Sequence, residues 1–393
     1  MDPTKNRENR PINFLLHIVF LLSGTATIII GQVLPVMTSR FVLNDLQAGY
    51  FFPAQFSGSL FGTYLTSWFG RNHKYIVATV LGCFLMAAGV LMMNSASYYV
   101  CLAAFAVNGI GVGLTLPSIN MLVLEMNPMR AASALNILNF CWGLGAICCK
   151  PFIDTFTSGT SIATASLLLA LPLAVVGVLT LVSGKGIESN LAPASIQADE
   201  LPPPKTEIWT TSMAWVLALF NFIHVGFESG VGGWLTTYSQ RIDFAASVRI
   251  LSPTFIFYVF FVVGRGVAPA YLRYLNENRA LLVSLIVILV GMGVTITASS
   301  AILLSIGAAI SGVGTSSVFP TGLARFGRVF GDQAIRRAMP FFIAGTLGSM
   351  AVTWLVGFLS DQAGSLRIGM YVLVVSIAIL IILQIGLIRR LRS

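Results

Sequence analysis

Charge is what this sequence has least of. Only 9% of its residues are Asp, Glu, Lys or Arg, against about a quarter in an ordinary soluble domain. With 56% hydrophobic residues, so weakly charged a chain would expose large apolar patches in water, so its solvent is lipid. Histidine is scarce as well: the three present form no cluster. The five cysteines, Cys83, Cys101, Cys141, Cys148 and Cys149, show no metal-ligand spacing and fall inside apolar runs. All five are read as small buried apolar residues. With no metal site, no nucleophile–base constellation and no phosphate loop, neither an enzyme nor a cofactor is expected.

Long apolar runs are what the chain does have. Each is long enough to cross ~30 Å of hydrocarbon as a helix, and none alternates like a barrel strand, so the backbone must satisfy itself helically. Apolar runs and breakers place twelve spans near 12–37, 46–69, 74–93, 98–125, 131–154, 161–183, 208–238, 246–271, 279–297, 301–325, 334–360 and 366–388. The first run is too long for a signal-peptide core and no small-residue cleavage site follows it, so no cleaved leader is expected.

The net charge of +9 is no nucleic-acid signal, because the basic residues sit in loops between spans. Lys5, Arg7, Arg10, Arg71, Lys74, Arg130, Lys185, Lys205, Arg273, Arg279, Arg325 and Arg328 fall at one set of span ends; Arg40, Arg241, Arg249 and Arg367 fall at the other. By the positive-inside rule both termini are cytoplasmic, which requires an even span count and predicts a multi-pass inner-membrane protein. The polar stretch 184–207, with Pro202-Pro203-Pro204, reads as a cytoplasmic linker without a core. It divides a six-helix bundle over 1–183 from a second over 208–393.

The two bundles repeat. Gly24, Gly31, Gly62 and Arg71 recur 202 residues later as Gly226, Gly233, Gly264 and Arg273. Gly109, Gly111 and Pro117 recur as Gly312, Gly314 and Pro320 at an offset of 203, while Gly143 and Gly145 correspond to Gly345 and Gly348. Paired glycines mark close helix contacts kept in both halves. The expected fold is an all-α membrane protein of twelve transmembrane helices in two pseudo-symmetric six-helix bundles.

Two such halves with cytoplasmic termini and a long central loop resemble the major facilitator superfamily over the whole chain. The loop after the second span supplies Gly70, Arg71 and Lys74 of the family signature, with Ser67 at the position of its acid. The resemblance implies a solute site at the midplane between the halves and alternating access to it.

Ionisable residues in a span are costly and mark a pathway. Glu228 is the one acid placed deep in a span; Asn221, His224 and Glu228 share a helix stripe at i, i+3 and i+7. No basic residue is evident at its depth. Glu228 reads either as a structural acid or as a protonatable carboxyl that binds solute and carries a proton; His224 reads equally as a packing residue. Hydroxyl-rich solutes need amide, hydroxyl and aromatic partners. Gln32, Asn120, Asn136, Asn139, Asn221, Tyr258 and Ser316 are candidate partners, with Trp142 and Trp234 as stacking platforms. Lys150 and Asp154 form an i, i+4 pair at one mouth, or else Lys150 attracts an anionic solute. Glu125 is read as an inner-gate ion pair with Arg71 or Arg130.

The run Gly226–Tyr238 resembles the seventh span of the fucose permease-like, proton-coupled sugar porters: an acid, a glycine pair, a tryptophan and a threonine–tyrosine end. Leu135–Gly145 resembles their amide-rich fifth span. Asn120 matches their fourth-span asparagine, but Leu116 stands where their acid does and the first span has no acid. The resemblance implies a proton-coupled sugar symporter with Glu228 as its coupling residue. An organic-anion carrier and a drug or metabolite/proton antiporter are the alternatives; protons, a small solute and the bilayer are the expected partners, and a monomer the expected state.

Overall fold

The computed structural model describes residues 10–126, 131–184, 208–242, 252–272, 274, 276–331 and 338–390. Among these there is no strand, and fourteen α-helices follow in order. They are α1 (Arg10–Phe41), α2 (Asp45–Gly49), α3 (Phe51–Gly70), α4 (Tyr75–Met92), α5 (Tyr98–Met126), α6 (Ala131–Phe156) and α7 (Ala163–Ser183). After a 3-10 turn at Ile208–Thr210 come α8 (Ser212–Arg241), α9 (Pro253–Leu272), α10 (Glu277–Thr297), α11 (Ala301–Ser316), α12 (Val318–Phe330), α13 (Met339–Ala363) and α14 (Leu366–Arg390). Ten stretches are long and apolar enough to cross a membrane, α11 and α12 counting as one. The remaining two of the twelve are α3, diluted by Gln55, Ser57, Ser59, Thr63, Thr66 and Ser67, and α9, apolar over the shorter length Pro253–Ala268.

Two details differ from the expected spans. The tenth is broken at Ser317, because Pro320 has no N–H to offer the carbonyl of Ser316 four residues earlier. The second is preceded by the separate short helix α2, started by a reciprocal cap: Asn44 Oδ1 accepts from Gln47 N at 2.8 Å and Gln47 Oε1 accepts from Asn44 N at 3.1 Å. Cys148 is exposed and Cys141 half-buried, against the expectation of burial; on a membrane helix a small apolar thiol need not be packed against protein.

The chain divides into two compact units, Met1–Val36 with Ala54–Pro203, and Met37–Pro53 with Pro204–Ser393. In the first, a Cβ on Gly24 would lie 2.1 Å from the carbonyl oxygen of Trp142, and one on Gly145 would lie 1.9 Å from that of Leu21, so α1 and α6 touch backbone to backbone. Thr25 Oγ1 donates to the Gly145 carbonyl across the same seam. In the second, Gly226 meets the carbonyl of Gly348 at 2.6 Å and Gly348 that of Phe222 at 1.8 Å, joining α8 to α13. Gly109 against the carbonyl of Gln55 (1.9 Å) and Gly312 against that of Phe257 (2.4 Å) repeat a second contact, α5 on α3 and α11 on α9. Lipid offers no hydrophobic drive for helices to associate, so close packing at small residues must supply it.

The turn and short helix between α1 and α3 belong to the second unit. Arg241, at the end of α8, donates to both Asp45 oxygens, Nη1 to Oδ2 at 2.8 Å and Nη2 to Oδ1 at 2.5 Å. Ser360 of α13 donates to Oδ2 as well. Gly357 lets α13 approach, since its Cβ would sit 2.6 Å from the carbonyl of Asp45, and Phe52 packs on Trp234 with centroids 5.7 Å apart.

Candidate functional site

Helix α8 starts at Thr211, whose hydroxyl caps the amide of Ala214. Its α13-facing side is fixed by polar bonds that leave little freedom. Asn221 Nδ2 donates to the Phe341 carbonyl at 2.8 Å, Ser229 and Ser349 share a hydroxyl bond of 2.7 Å, and Trp234 Nε1 donates to the Thr353 carbonyl at 2.9 Å. Asn221 and Trp234, both chosen from the sequence as solute contacts, are thus occupied in holding α8 to α13. The Trp234 ring is fully enclosed and offers no open face in this conformation.

Glu228 points elsewhere. Its side chain is 20% exposed, whereas that of His224, one turn earlier, is buried at 1%. His224 Nε2 lies 3.7 Å from Glu228 Oε2, beyond a hydrogen bond. Neither imidazole nitrogen has a hydrogen-bond partner among the described residues.

The carboxyl is not alone at its depth. Arg265 of α9 acts electrostatically on Glu228 and on His224. Its guanidinium carbon lies 4.1 Å from the centroid of the Phe261 ring, and its Nε is enclosed without a hydrogen-bond partner among the described residues. Sorting basic residues to loops passes over Arg265; counting them by depth within 246–271 would have found it. Tyr258, a turn or two earlier on α9, is buried, and its hydroxyl oxygen sits 2.2 Å from where a Cβ on Gly232 would be. Ser316 is buried too and donates to its own helix at the Val313 carbonyl, 2.6 Å away.

Candidates in the first unit are more scattered. Gln32 is buried on α1 and Asn120 half-buried on α5. Asn136 and Asn139 are exposed, the latter donating to the Leu135 carbonyl, and Trp142 is half-buried with its Nε1 enclosed and unbonded among the described residues. Two further buried amides act as ties here: Asn108 donates to the Ala26 carbonyl and Gln55 to that of Thr27, both at 2.9 Å. Lys150, buried, is ion-paired with Asp154 one turn along α6. Of the inner-gate set, Arg71 is exposed, Glu125 interacts with Tyr75, and Arg130 lies outside the described residues. Arg325, assigned from sequence to a basic loop end, is instead buried and donates to Gln384 Oε1 at 2.9 Å and Asn278 Oδ1 at 3.0 Å.

Three comparisons bear on this arrangement. Among solved structures, the fold is similar to the transporter FucP in its outward conformation (19% identity, 97% of this chain and 98% of that one, TM-score 0.64). It is similar as well to a D-xylose–proton symporter (14%, 94% and 96%, 0.73) and to the nucleoside transporter NupG (13%, 98% and 99%, 0.70). Among curated proteins, sodium-dependent glucose transporter 1 of Xenopus laevis is 25% identical over 174 residues, 42% of this chain. That match spans only 34% of the relative's length. The family model described as Major Facilitator Superfamily matches residues 16–300. On that match, well over half the sequence, and on its helical fold, the chain belongs to the major facilitator superfamily and is a membrane transporter, not an enzyme.

Proposed function

We propose that the chain is a sugar carrier of the inner membrane, working by alternating access and coupled to protons through Glu228. The observation that carries this reading is a carboxyl inside a spanning helix that has no hydrogen bond and no tie to α13 among the described residues, and that remains partly accessible. A carboxyl engaged only in packing would be closed in, as Asn221 and Trp234 are. Arg265 supplies an opposite charge that offsets part of the cost of burying the ionised form in a span. Proton uptake on Glu228 then removes that partner charge, which gives the carboxyl two electrostatically distinct states to alternate between. Names of similar proteins add support: a fucose:proton symporter, a xylose–proton symporter and a glucose transporter all handle sugars. On this reading both termini and the 184–207 linker lie in the cytoplasm, as the basic loop ends favour, and the carrier acts as a monomer.

The test is Glu228→Gln in proteoliposomes. The amide keeps the shape and the hydrogen bonds but cannot titrate. The variant is expected to bind and exchange solute while losing uphill accumulation under an imposed pH gradient. Accumulation at the parent rate would remove Glu228 from the coupling role.

A further inference from the structure

Arg265 has more to do than accompany Glu228. On α9, Tyr258, Phe261 and Arg265 recur at i, i+3 and i+7, so they share a face. The Tyr258 hydroxyl lies where a Gly232 side chain would be, which fixes the register of α9 against α8. The two helices follow one another across the bilayer and run antiparallel. From that contact, Glu228 is about 6 Å back along α8, His224 about 12 Å back, and Arg265 about 10 Å onward along α9. Arg265 therefore falls between the two acid–base groups in depth. Yet its Nε has no hydrogen-bond partner, and it joins none of the ion pairs within 4 Å, among the described residues. One face of its guanidinium is spent on Phe261, and the edge that carries Nε has that donor without an acceptor among the described residues.

We propose that this edge binds a carboxylate on the solute, so that the carried sugar is a sugar acid and Arg265 is its specificity-determining residue. A guanidinium edge grips a carboxylate by two parallel bonds, which a neutral hydroxyl cannot match. The inference rests on the proton-coupled reading of Glu228 and deepens it through charge balance. Empty, the site holds Arg265 positive and Glu228 negative. A bound monoanion leaves one net negative charge in a low-dielectric span, and one proton taken by Glu228 from the open side restores neutrality. One proton then travels with each monoanion, and no net charge crosses. His224 is the other titratable group at this level. From the elements packed on α8, α13 presents Ser349 and Thr353 and α14 presents Leu373, none of which titrates here. Arg325 of α12 is already held by Gln384 and Asn278.

The experiment uses the full chain in proteoliposomes with D-glucuronate and D-glucose as probes. Expected is glucuronate accumulation driven by an inward proton gradient, with no current and no response to a clamped membrane potential. Arg265→Lys, which keeps the charge but not the fork, should weaken glucuronate binding at least tenfold, and Arg265→Gln should abolish it. Glucuronate binding to Glu228→Gln should lose its pH dependence. Proton-driven glucose uptake that carries inward current, with glucuronate neither moved nor competing, would overturn the inference while leaving the proton-coupled sugar reading standing. Glucuronate binding unchanged in Arg265→Lys would overturn the role of Arg265. Transport of either probe that ignores the proton gradient would sink both readings together.

Discussion

Glu228 and Trp234 stand six residues apart on α8 and serve opposite ends. The tryptophan is enclosed between Thr353, Phe52 and the glycines beside it, so its removal leaves a cavity in the packed seam. Trp234→Ala is expected to cost about 3–5 kcal/mol of stability, measurable as a lower melting temperature in detergent. Solute affinity, measured on the fraction that stays folded, should hardly move. Trp142 differs because it is only half-buried and its Nε1 has no acceptor among the described residues. Trp142→Ala should weaken sugar binding by ~1 kcal/mol with little loss of melting temperature. Equal affinity in the variant and the parent, measured by isothermal titration, would return Trp142 to packing.

At the scale of elements, the glycine seams and the α2 hairpin make separate predictions. A methyl group on Gly145 or Gly348 would sit under 2 Å from a facing carbonyl oxygen, so α1–α6 or α8–α13 must separate. Gly145→Ala and Gly348→Ala should each destabilise by about 1–3 kcal/mol. Gly293→Ala, which meets nothing within 4 Å, is the matched control and should be neutral or slightly stabilising. In the hairpin, burial alone would raise the pKa of Asp45. Hydrogen bonds from Arg241 and Ser360 and the Arg241 charge outweigh that and hold it below the ordinary 3.8. A carboxyl whose folded pKa is depressed contributes fully above its unfolded value and loses that contribution as pH falls through the folded one. Docking should therefore be constant from pH 5 to 8 and weaken only below about 3.8. Asp45→Asn removes the charge and should cost about 1.5–3 kcal/mol of docking. The measurement is the rate at which a cysteine at the half-buried Leu46 is labelled, divided at each pH by that of a freely exposed cysteine so that the thiol's own ionisation cancels; the ratio should be higher in the variant and constant between pH 5 and 8 in the parent.

For the whole molecule, the repeat is a statement about contacts. Gly24 and Gly145 in one unit do what Gly226 and Gly348 do in the other, and Gly109 with Gln55 matches Gly312 with Phe257. Orientation in the bilayer is the prediction at this scale. Cysteines placed in the 184–207 linker and near both termini should react with a membrane-impermeant reagent only after the cell is opened, whereas one at Val42 should react from outside. Labelling of the linker in intact cells would reverse the orientation argued from the basic loops.

The sequence by itself determined the spans, their number, the duplication and the family resemblance, because each is written in local composition: apolar length, breakers and the spacing of glycines. Observed helix limits fall within several residues of those read from hydropathy, except where Pro320 splits the tenth span and where α2 stands apart at the start of the second; the expected start of the eighth, 246–251, lies outside the described residues. Glu228 was legible for the same reason, since a charge inside an apolar run is visible without any fold. What its neighbours are was not. Arg265 lies 37 positions away in sequence and comes to the depth of Glu228 through the register that the Tyr258–Gly232 contact sets between two helices. Asp45 meets Arg241 and Ser360 across 196 and 315 positions. Whether Asn221 and Trp234 face solute or a neighbouring helix depends on rotation about the α8 axis. Because α8 carries polar residues on more than one side, periodicity does not fix that rotation; packing against α13 does.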